Sequence, residues 1–422
     1  MILIKNGSVI GEKTKPSDVL IENGIIAAIS ENIPETGDMD ILDASGLIVA
    51  PGLVDMHVHF RDPGFTYKED IHTGSAAAAA GGVTTCCCMP NTLPVADSAE
   101  IVGYIAKKGS HALIRSRTLP YGAVTIGQKG VKLTDFAALK AAGAAALSDD
   151  GNPIQDEAVM CRALRKAREN DVLIISHCED AELVRDYAVN EGKVSKALGL
   201  PGRPAKAEEI MVERDAKLAA ETGAKVHIAH VSTAGSVEII RKAKAAGVNI
   251  TAETCPQYFS LTEDEILRQG ALARVNPPLR TSEDVAAIIQ GIIDGTIDAI
   301  ATDHAPHSKK EKKLPLADAP SGMIGLETSL AVALTYLYHT GKLNMDKIIE
   351  LMSSNPARIL SLDAGKLAAG KTADVVVFDP DEKWIVDPKK FKSKSRNTPF
   401  TGVELCGKVK YTISRGKIVY KG

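Results

Sequence analysis

The chain has 422 residues, of which 45% are apolar and 24% are charged, and its formal net charge is -3. This length exceeds one ordinary small domain and fits a barrel of about 250 residues with an accessory domain. No lysine or arginine stripe indicates a nucleic-acid surface. The longest uncharged stretch lies between His72 and Asp97, and its Gly, Pro, Asn and Thr residues do not predict a membrane span.

The cysteines and the start of the chain indicate the compartment. Seven cysteines are an odd number, they form no C-x-x-C pair, and the first residues lack the layout of a signal peptide. Reduced thiols in a cytoplasmic protein are therefore expected. Cys86, Cys87 and Cys88 lie in a strand-like run, where neighbouring side chains point to opposite faces, so we expect small apolar residues and not a soft-metal site.

The first 50 residues contain only short β-like runs, punctuated by turn residues. They are Met1–Lys5, Val19–Ile21, Gly24–Ile29 and Ile41–Val49.

The middle of the chain alternates between strand-like and helix-like segments. Most of the strand candidates are apolar runs, as expected of strands buried on both faces; they are Leu53–Phe60, Val83–Met89, Leu113–Tyr121, Ala144–Ser148, Val172–Ser176, Val226–His230, Asn249–Glu253 and Asp298–Thr302. The helix candidates between them are Ser75–Ala80, Ser98–Lys108, Leu133–Ala142, Asp156–Asn170, Lys206–Thr222, Ala234–Ala246, Glu283–Ile293 and Gly325–His339.

Eight strand–helix units in series predict an α/β fold, a closed (β/α)8 TIM barrel. A doubly wound open sheet is the alternative, but the absence of a Gly-rich dinucleotide turn argues against it. The C-terminal stretch is again β-like, with the runs Ala373–Phe378, Lys383–Ile385, Gly407–Ile413 and Lys417–Tyr420. We therefore predict that residues 1–50 and 363–422 form a small β-sandwich domain from both chain ends, and that residues 51–362 form the barrel.

Residues capable of catalysis follow the predicted strands at their C-terminal ends, the face where TIM-barrel enzymes build their sites. His57 and His59 alternate along the first strand, so both side chains share one face and can bind one metal ion. Each histidine alone is equally explained as a satisfied polar residue at a strand end. The full set is sufficient for two metal ions: His57, His59, Asp149 or Asp150, His177, His230 and Asp303.

Such a site would lower the pKa of a bound water toward ~7, polarise a carbonyl, and use a nearby carboxylate to carry the proton. Asp303 suits both ligation and proton transfer. This chemistry serves amides, esters and phosphotriesters alike, and the metal residues do not choose among them.

Neighbouring residues narrow the substrate. Arg61 shares a face with His59 and offers a bidentate contact to a carboxylate. Asn91, Asn276 and His307 follow the second, seventh and eighth strands, and together these groups suit a small, acidic, amide-rich ligand. The two asparagines are equally well explained as turn residues beside proline.

The motifs resemble those of the dihydroorotase family of the amidohydrolase superfamily, in its bacterial type I form, over the whole chain. The matching segments are Asp55-Met-His57-Val-His59-Phe-Arg61-Asp-Pro-Gly64 with Lys68-Glu69, Met89-Pro-Asn91-Thr92, Ser148-Asp-Asp150-Gly151, His177-Cys-Glu179, Asn276-Pro-Pro-Leu-Arg280 and Thr302-Asp303-His304-Ala-Pro-His307.

The resemblance implies zinc-dependent, reversible cyclisation of N-carbamoyl-L-aspartate to L-dihydroorotate in pyrimidine synthesis, with metal-bound hydroxide as the nucleophile in the ring-opening direction. It implies two Zn²⁺ ions held by His57, His59, Asp150, His177, His230 and Asp303, with Asp303 also the general acid/base. Arg61, Asn91 and His307 would bind the substrate carboxylate, and Asn276 and the backbone around Gly322 would contact the ring. A homodimer and an aspartate transcarbamoylase partner are compatible with this family.

One position departs from many relatives, which bridge the metals with a carboxylated lysine after the fourth strand. This chain has Ser148-Asp149-Asp150-Gly151 there, as some bacterial dihydroorotases do, and we assign the bridge to Asp150 in preference to Asp149.

The segment Ser308–Asp318 begins with four lysines among five residues and follows the eighth strand. It is either a mobile lid, an electrostatic attractor for a dianionic substrate, or a solvated loop.

Two rival functions follow from the same residues. Hydantoinase, dihydropyrimidinase or allantoinase would act on an uncharged ring, for which Arg61 has little use. A non-catalytic structural subunit would be expected to have lost metal ligands.

Overall fold

A computed structural model describes residues 1–11, 15–185 and 187–422. The chain begins with five strands, β1 (Ile2–Val9), β2 (Lys15–Glu22), β3 (Ile25–Ser30), β4 (Asp40–Asp43) and β5 (Ile48–Pro51). None of the helices among the described residues is both long and apolar enough to cross a bilayer.

Eight short parallel strands follow and form the barrel. They are β6 (Leu53–Val58), β7 (Val83–Cys88), β8 (Arg117–Pro120), β9 (Leu147–Ser148), β10 (Ile174–Ser176), β13 (Val226–Ile228), β14 (Ile250–Thr254) and β15 (Ala299–Ile300), with β11 (Val189–Asn190) and β12 (Gly202–Arg203) as a separate pair. The ring closes through two parallel bridges, one between Gly122 and Leu147 and one between Val58 and His304. The (β/α)8 architecture predicted from the sequence is therefore confirmed.

Helices surround the barrel strands. They are α1 (Ile71–Ala80), α2 (Ala99–Gly109), α3 (Phe136–Ala141), α4 (Glu157–Glu169), α5 (Ala181–Val184), α6 (Lys193–Leu198), α7 (Lys206–Thr222), α8 (Ala234–Ala245), α9 (Pro256–Ser260), α10 (Glu265–Gln269), α11 (Ser282–Ile293), α12 (Ser329–Ala333), α13 (Met345–Ile349) and α14 (Asn355–Ile359). Short 3-10 segments lie at Ile126–Gln128, Gly270–Ala273, Glu311–Lys313 and Pro388–Lys390, and π-helical turns at Leu334–Tyr338 and Glu350–Ser354.

Five of the longer helices start where the sequence supplies a side chain that accepts a free backbone N–H of the first turn. Asp70, Ser98, Asp156, Thr233 and Thr281 cap α1, α2, α4, α8 and α11 in this way. The longest helix, α7, starts after Ala205 without a side-chain cap.

Both chain ends join in one eight-stranded sheet. The last three strands, β16 (Val375–Ile385), β17 (Glu404–Ser414) and β18 (Lys417–Lys421), extend the sheet in the order β18-β17-β16-β5-β1-β2-β3, and β4 pairs with β1. Apolar side chains from both ends, among them Ile4, Val49, Val377 and Ile413, form a small core of their own.

Three elements differ from the sequence prediction. The segment Ile41–Val49 is interrupted by a turn and gives two strands, whereas the runs Ala373–Phe378 and Lys383–Ile385 lie in one irregular strand, β16. The helix expected from Gly325 starts only at Ser329, because the Gly325 carbonyl first accepts turn hydrogen bonds from the backbone of Thr328 and Ser329.

Candidate active site

The C-terminal ends of the barrel strands place a cluster of imidazoles and carboxylates around one cavity of about 210 Å³. Residues that follow the ends of several barrel strands line it: His59, Arg61, Asn91, Asp150, Gly151, His177, His230, Asn276, Asp303, Ala305, His307, Ser321 and Gly322. Residues far apart in sequence meet here because parallel strands end on the same rim.

The first donor group consists of His57, His59 and Asp303, all buried. The Asp303 Oδ1 atom lies 3.0 Å from Nε2 of His59 and 3.6 Å from Nε2 of His57. The donor atoms of the group lie within 4.8 Å of one another, so a single cation can contact all three.

The second donor group consists of His57, Asp150 and His230. The Asp150 Oδ1 atom lies 3.6 Å from His57 Nε2, 3.5 Å from His230 Nε2 and 3.4 Å from His177 Nδ1. His177 Nδ1 is also 2.8 Å from His230 Nε2, so without a cation one ring must donate to the other. The two groups share His57, so they lie next to each other.

The cluster carries unsatisfied groups that a cation would satisfy. His57 Nε2 and Asp150 Oδ1 are buried and have no hydrogen-bond partner among the described residues. Burial alone would lower the pKa of His57, but the charges of Asp150 and Glu253 outweigh it and raise that pKa to about 10. The donor set and its excess negative charge therefore fit a divalent metal ion.

Three residues at the mouth of the barrel hold a left-handed backbone that side chains disfavour. They are Arg61 (φ 59°), His230 (φ 34°) and Asp303 (φ 47°). Each costs on the order of 1–2 kcal/mol, which the surrounding structure must offset. Such strain clusters where side-chain direction matters for function.

Asp149 and Asp150 face different environments. Asp149 accepts hydrogen bonds from the backbone N–H groups of Val124 and Thr125, at 2.8 and 3.1 Å, and from the Thr125 hydroxyl. Its carboxylate thus ties two loops together, and only Asp150 faces the histidines.

Glu253, at the end of β14, is a site residue that the sequence analysis did not assign. Its Oε1 atom accepts from Nδ1 of His57 at 2.6 Å, and Oε2 lies 3.3 Å from Nε2 of His227. Burial would raise the pKa of Glu253, but the two histidines lower it to about 2. The available signal was a carboxylate inside a buried strand, which is rare without a partner.

Arg61 and His307 also line the cavity and lie next to each other. Arg61 Nη2 is 3.5 Å from His307 Nε2, and the Arg61 Nε–H points to the Pro306 carbonyl at 3.4 Å. Asn91 adjoins the metal-type donors: its Oδ1 accepts from Nδ1 of His59 at 2.9 Å, and its Nδ2 lies 3.4 Å from Asp150 Oδ2.

Asn276 and Gly322 also reach the cavity. Asn276 Oδ1 accepts from Arg203 Nη1 at 2.5 Å, and the same nitrogen pairs with Glu179 at 2.9 Å, so Arg203 is a second residue that the sequence analysis missed. Gly322 has φ 133°, and a Cβ there would lie 2.7 Å from that of Ala305, so only glycine fits.

Asn397, in the segment between β16 and β17, links two loops of this rim. Its Oδ1 accepts from the His307 N–H at 3.1 Å, and its Nδ2 donates to the carbonyls of Ala305 and Gly322 at 3.1 and 3.0 Å. Nothing in the local sequence signals this role, because its partners lie 75 to 92 positions away.

The basic segment Ser308–Asp318 is anchored to the barrel rim. The Lys312 ammonium is buried and donates to the carbonyls of Ala271, Arg274 and Pro320 at 2.8, 3.2 and 2.8 Å. Lys312 is therefore neither a solvated lysine nor free to attract substrate, unlike the exposed Lys309, Lys310 and Lys313. His304 faces away from the histidine cluster, toward Glu69, as its place directly after Asp303 predicts.

Comparisons with known proteins give consistent results. A family model described as dihydro-orotase-like matches residues 46–236, and one described as amidohydrolase family matches residues 317–420. The dihydroorotase of Clostridium acetobutylicum is 50% identical over 424 residues, covering 100% of both chains, and that of Aquifex aeolicus is 50% identical over 425 residues, covering 100% of this chain and 99% of the relative.

Solved structures agree on the fold. The L-hydantoinase (dihydropyrimidinase) of Arthrobacter aurescens has a TM-score of 0.89 at 26% identity, covering 100% of this chain and 96% of the other. The D-hydantoinase (dihydropyrimidinase) of a Thermus species has a TM-score of 0.85 at 26% identity, covering 99% and 95%.

Proposed function

The chain belongs to the dihydroorotase family, and from that membership we propose that its barrel-mouth site opens and closes the cyclic amide of L-dihydroorotate, with N-carbamoyl-L-aspartate as the open form. It is a hydrolase of cyclic amide C–N bonds that acts in pyrimidine synthesis. The observation that carries the proposal is one cavity lined both by residues of the two metal-type donor groups and by Arg61 with His307. A ring that bears both a scissile amide and a carboxylate matches these two kinds of groups.

We further propose that His57, His59, Asp150, His177, His230 and Asp303 hold two zinc ions. Bound there, they would supply water activated at neutral pH and a Lewis acid for the amide carbonyl. The nitrogen-rich donor set suits zinc.

The protein's own groups perform the positioning and the proton transfer. Asp303 lines the cavity and is held by His59, so its carboxylate can take the proton of the attacking water and deliver it to the leaving ring nitrogen. Arg61 offers its guanidinium to the substrate carboxylate, with His307 and Asn91 beside it. Asn276 and the backbone around Gly322 border the place left for the ring.

Partners belong to the same proposal. The family is compatible with a homodimer and with an aspartate transcarbamoylase partner, and a cytoplasmic enzyme fits the reduced cysteines. Size-exclusion chromatography with and without such a transcarbamoylase tests both associations.

The decisive experiment is ring opening of L-dihydroorotate, followed by loss of ultraviolet absorbance, before chelation, after it, and after zinc add-back. We expect activity that chelation removes and zinc restores. Dihydrouracil and hydantoin, which lack the carboxylate, serve as matched substrates and should react far more slowly. Turnover of these uncharged rings but not of dihydroorotate would refute the proposal in favour of a hydantoinase-type activity.

A further inference from the structure

Lys68 contacts both Glu311 and His307, and His307 lines the cavity beside Arg61. The Lys68 ammonium lies 2.8 Å from Glu311 Oε1 and 3.3 Å from Nδ1 of His307. Its side chain is only 12% exposed, so these contacts are shielded from solvent. Glu311 also accepts from the Ser308 hydroxyl and backbone N–H, at 2.7 and 2.9 Å, which holds its carboxylate in place.

These contacts determine which nitrogen of His307 carries the proton. An ammonium group can only donate, so Nδ1 of His307 must accept from Lys68. A carbonyl can only accept, and the Ser321 carbonyl lies 2.8 Å from Nε2, so Nε2 must carry the hydrogen. His307 is thus held as the neutral Nε2–H tautomer.

The charges around the ring agree with a neutral imidazole. Burial lowers the pKa of His307, and the positive charges of Arg61, Lys68 and Lys312 lower it further. The positive charge beside the His307 ring therefore resides on Arg61 and Lys68, while His307 itself is a neutral ring whose N–H donates to the Ser321 carbonyl.

We propose that Lys68 is a positioning residue for substrate recognition: Lys68 at Nδ1 and the Ser321 carbonyl at Nε2 hold the neutral His307 ring at both nitrogens, beside the guanidinium of Arg61. The inference rests on the proposed function for the identity of the carboxylate that Arg61 and His307 bind. Without Lys68 the Nδ1 atom loses its hydrogen-bond donor, so the ring is held at Nε2 alone and can turn away from the position that serves the substrate.

The test uses zinc-loaded full-length protein with ¹⁵N-labelled histidine rings. The spectrum of the wild type should contain a His307 resonance pair typical of the Nε2–H tautomer, identified by its loss in His307→Asn. In Lys68→Met, which keeps the length of the side chain without its charge, we expect the tautomer to persist and the Nδ1 resonance to move to the position of a nitrogen that accepts no hydrogen bond. Lys68→Arg, which still donates, should retain the wild-type Nδ1 resonance.

Kinetics give the second measurement. Lys68→Met should raise KM for dihydroorotate by about tenfold, the effect of one charge-assisted hydrogen bond, and leave kcat within about twofold. Lys107→Met, an exposed lysine near the end of α2, is the matched control and should behave as the wild type.

Two results would overturn the role of Lys68: an Nδ1–H tautomer in the wild type, which needs no variant, or a Lys68→Met protein with an unchanged Nδ1 resonance and an unchanged KM. A shifted Nδ1 resonance in Lys68→Met, together with a wild type that opens no dihydroorotate ring, would instead support the contact between Lys68 and His307 and overturn the proposed substrate. The two failures are therefore distinguishable.

Discussion

At the scale of single residues, the hydrogen bond that Nδ1 makes in His57 and in His59 determines which ring nitrogen is free to bind a metal ion. The His57 ring is fixed by the Nδ1 contact to Glu253, which leaves Nε2 facing the carboxylates of Asp150 and Asp303. His59 is fixed in the same manner by Asn91. Histidines that bind metals commonly donate their other ring nitrogen to such a partner, which fixes the tautomer and raises ligand basicity.

Glu253→Gln should weaken metal binding by about 10–100-fold, because a neutral amide makes Nε2 of His57 a poorer ligand than a carboxylate does. Competition for zinc with a chromophoric chelator measures the affinity directly. Glu221→Gln, at an exposed position of α7, is the control and should bind zinc as the wild type does. Equal affinities for the Glu253 variant and the wild type would mean that Glu253 only fills space.

At the scale of elements, the rim of the barrel depends on a segment that belongs to neither a barrel strand nor a barrel helix. Residues 386–403 connect β16 to β17 and cross to the loops after β15. The side-chain amide of Asn397 accepts from the His307 N–H and donates to the Gly322 carbonyl, which holds both residues in place. The part of the cavity that His307 and Gly322 line is thus shaped by the C-terminal part of the chain.

Asn397→Ala should lower the free energy of unfolding by about 1–3 kcal/mol, because it leaves a buried N–H and two carbonyls without partners. We also expect a several-fold higher KM for dihydroorotate, since His307 and Gly322 are no longer held. Urea titration and steady-state kinetics measure the two effects. Asn249→Ala, at an exposed position before β14, is the control; equal KM values for both variants would contradict a role in the rim.

At the scale of the whole molecule, polar contacts tie the segment between β16 and β17 to the barrel. Glu327, just before α12, accepts from the backbone N–H of Lys392 at 2.8 Å and of Ser393 at 3.0 Å. Glu69 accepts from the Lys394 N–H at 3.1 Å and from the Ser393 hydroxyl. Two carboxylates thus hold one stretch of the C-terminal part against the barrel.

Glu327 should make stability depend on pH. Burial raises its pKa from 4.5 to about 7, although the two N–H contacts oppose this. Between these values the folded state holds a proton that the unfolded state has lost. The contribution of Glu327 to the free energy of unfolding is therefore fully present below pH 4.5 and is lost as pH rises through 7.

In Glu327→Gln this contribution is absent. The unfolding free energy of the variant relative to the wild type should therefore rise by on the order of 2 kcal/mol between pH 4.5 and 7.5. Urea titrations at the two pH values give the difference. Glu404→Gln, at an exposed position of β17, should follow the wild-type pH dependence, and a Glu327 variant that does the same would refute the assignment.

The sequence by itself determined the barrel and the rim on which the site lies. Apolar runs of strand length alternating with capped helices leave few alternatives to eight parallel strands, and polar residues at the ends of such strands must meet on one rim. The spacing of His57 and His59 placed both on one face because side chains alternate along a strand. Dihydroorotases that are 50% identical to this chain over its whole length agree with that prediction.

Only the tertiary structure decided the choices that depend on rotation and on contacts between distant segments. Asp149 and Asp150 follow a strand of two residues, too short for periodicity to tell which carboxylate faces the cavity. The partners of Glu253 and Asn397, and the tautomer of His307, depend on side chains from other elements. A sequence pattern reports the phase along one element, whereas these roles require the relative placement of several elements, which packing determines.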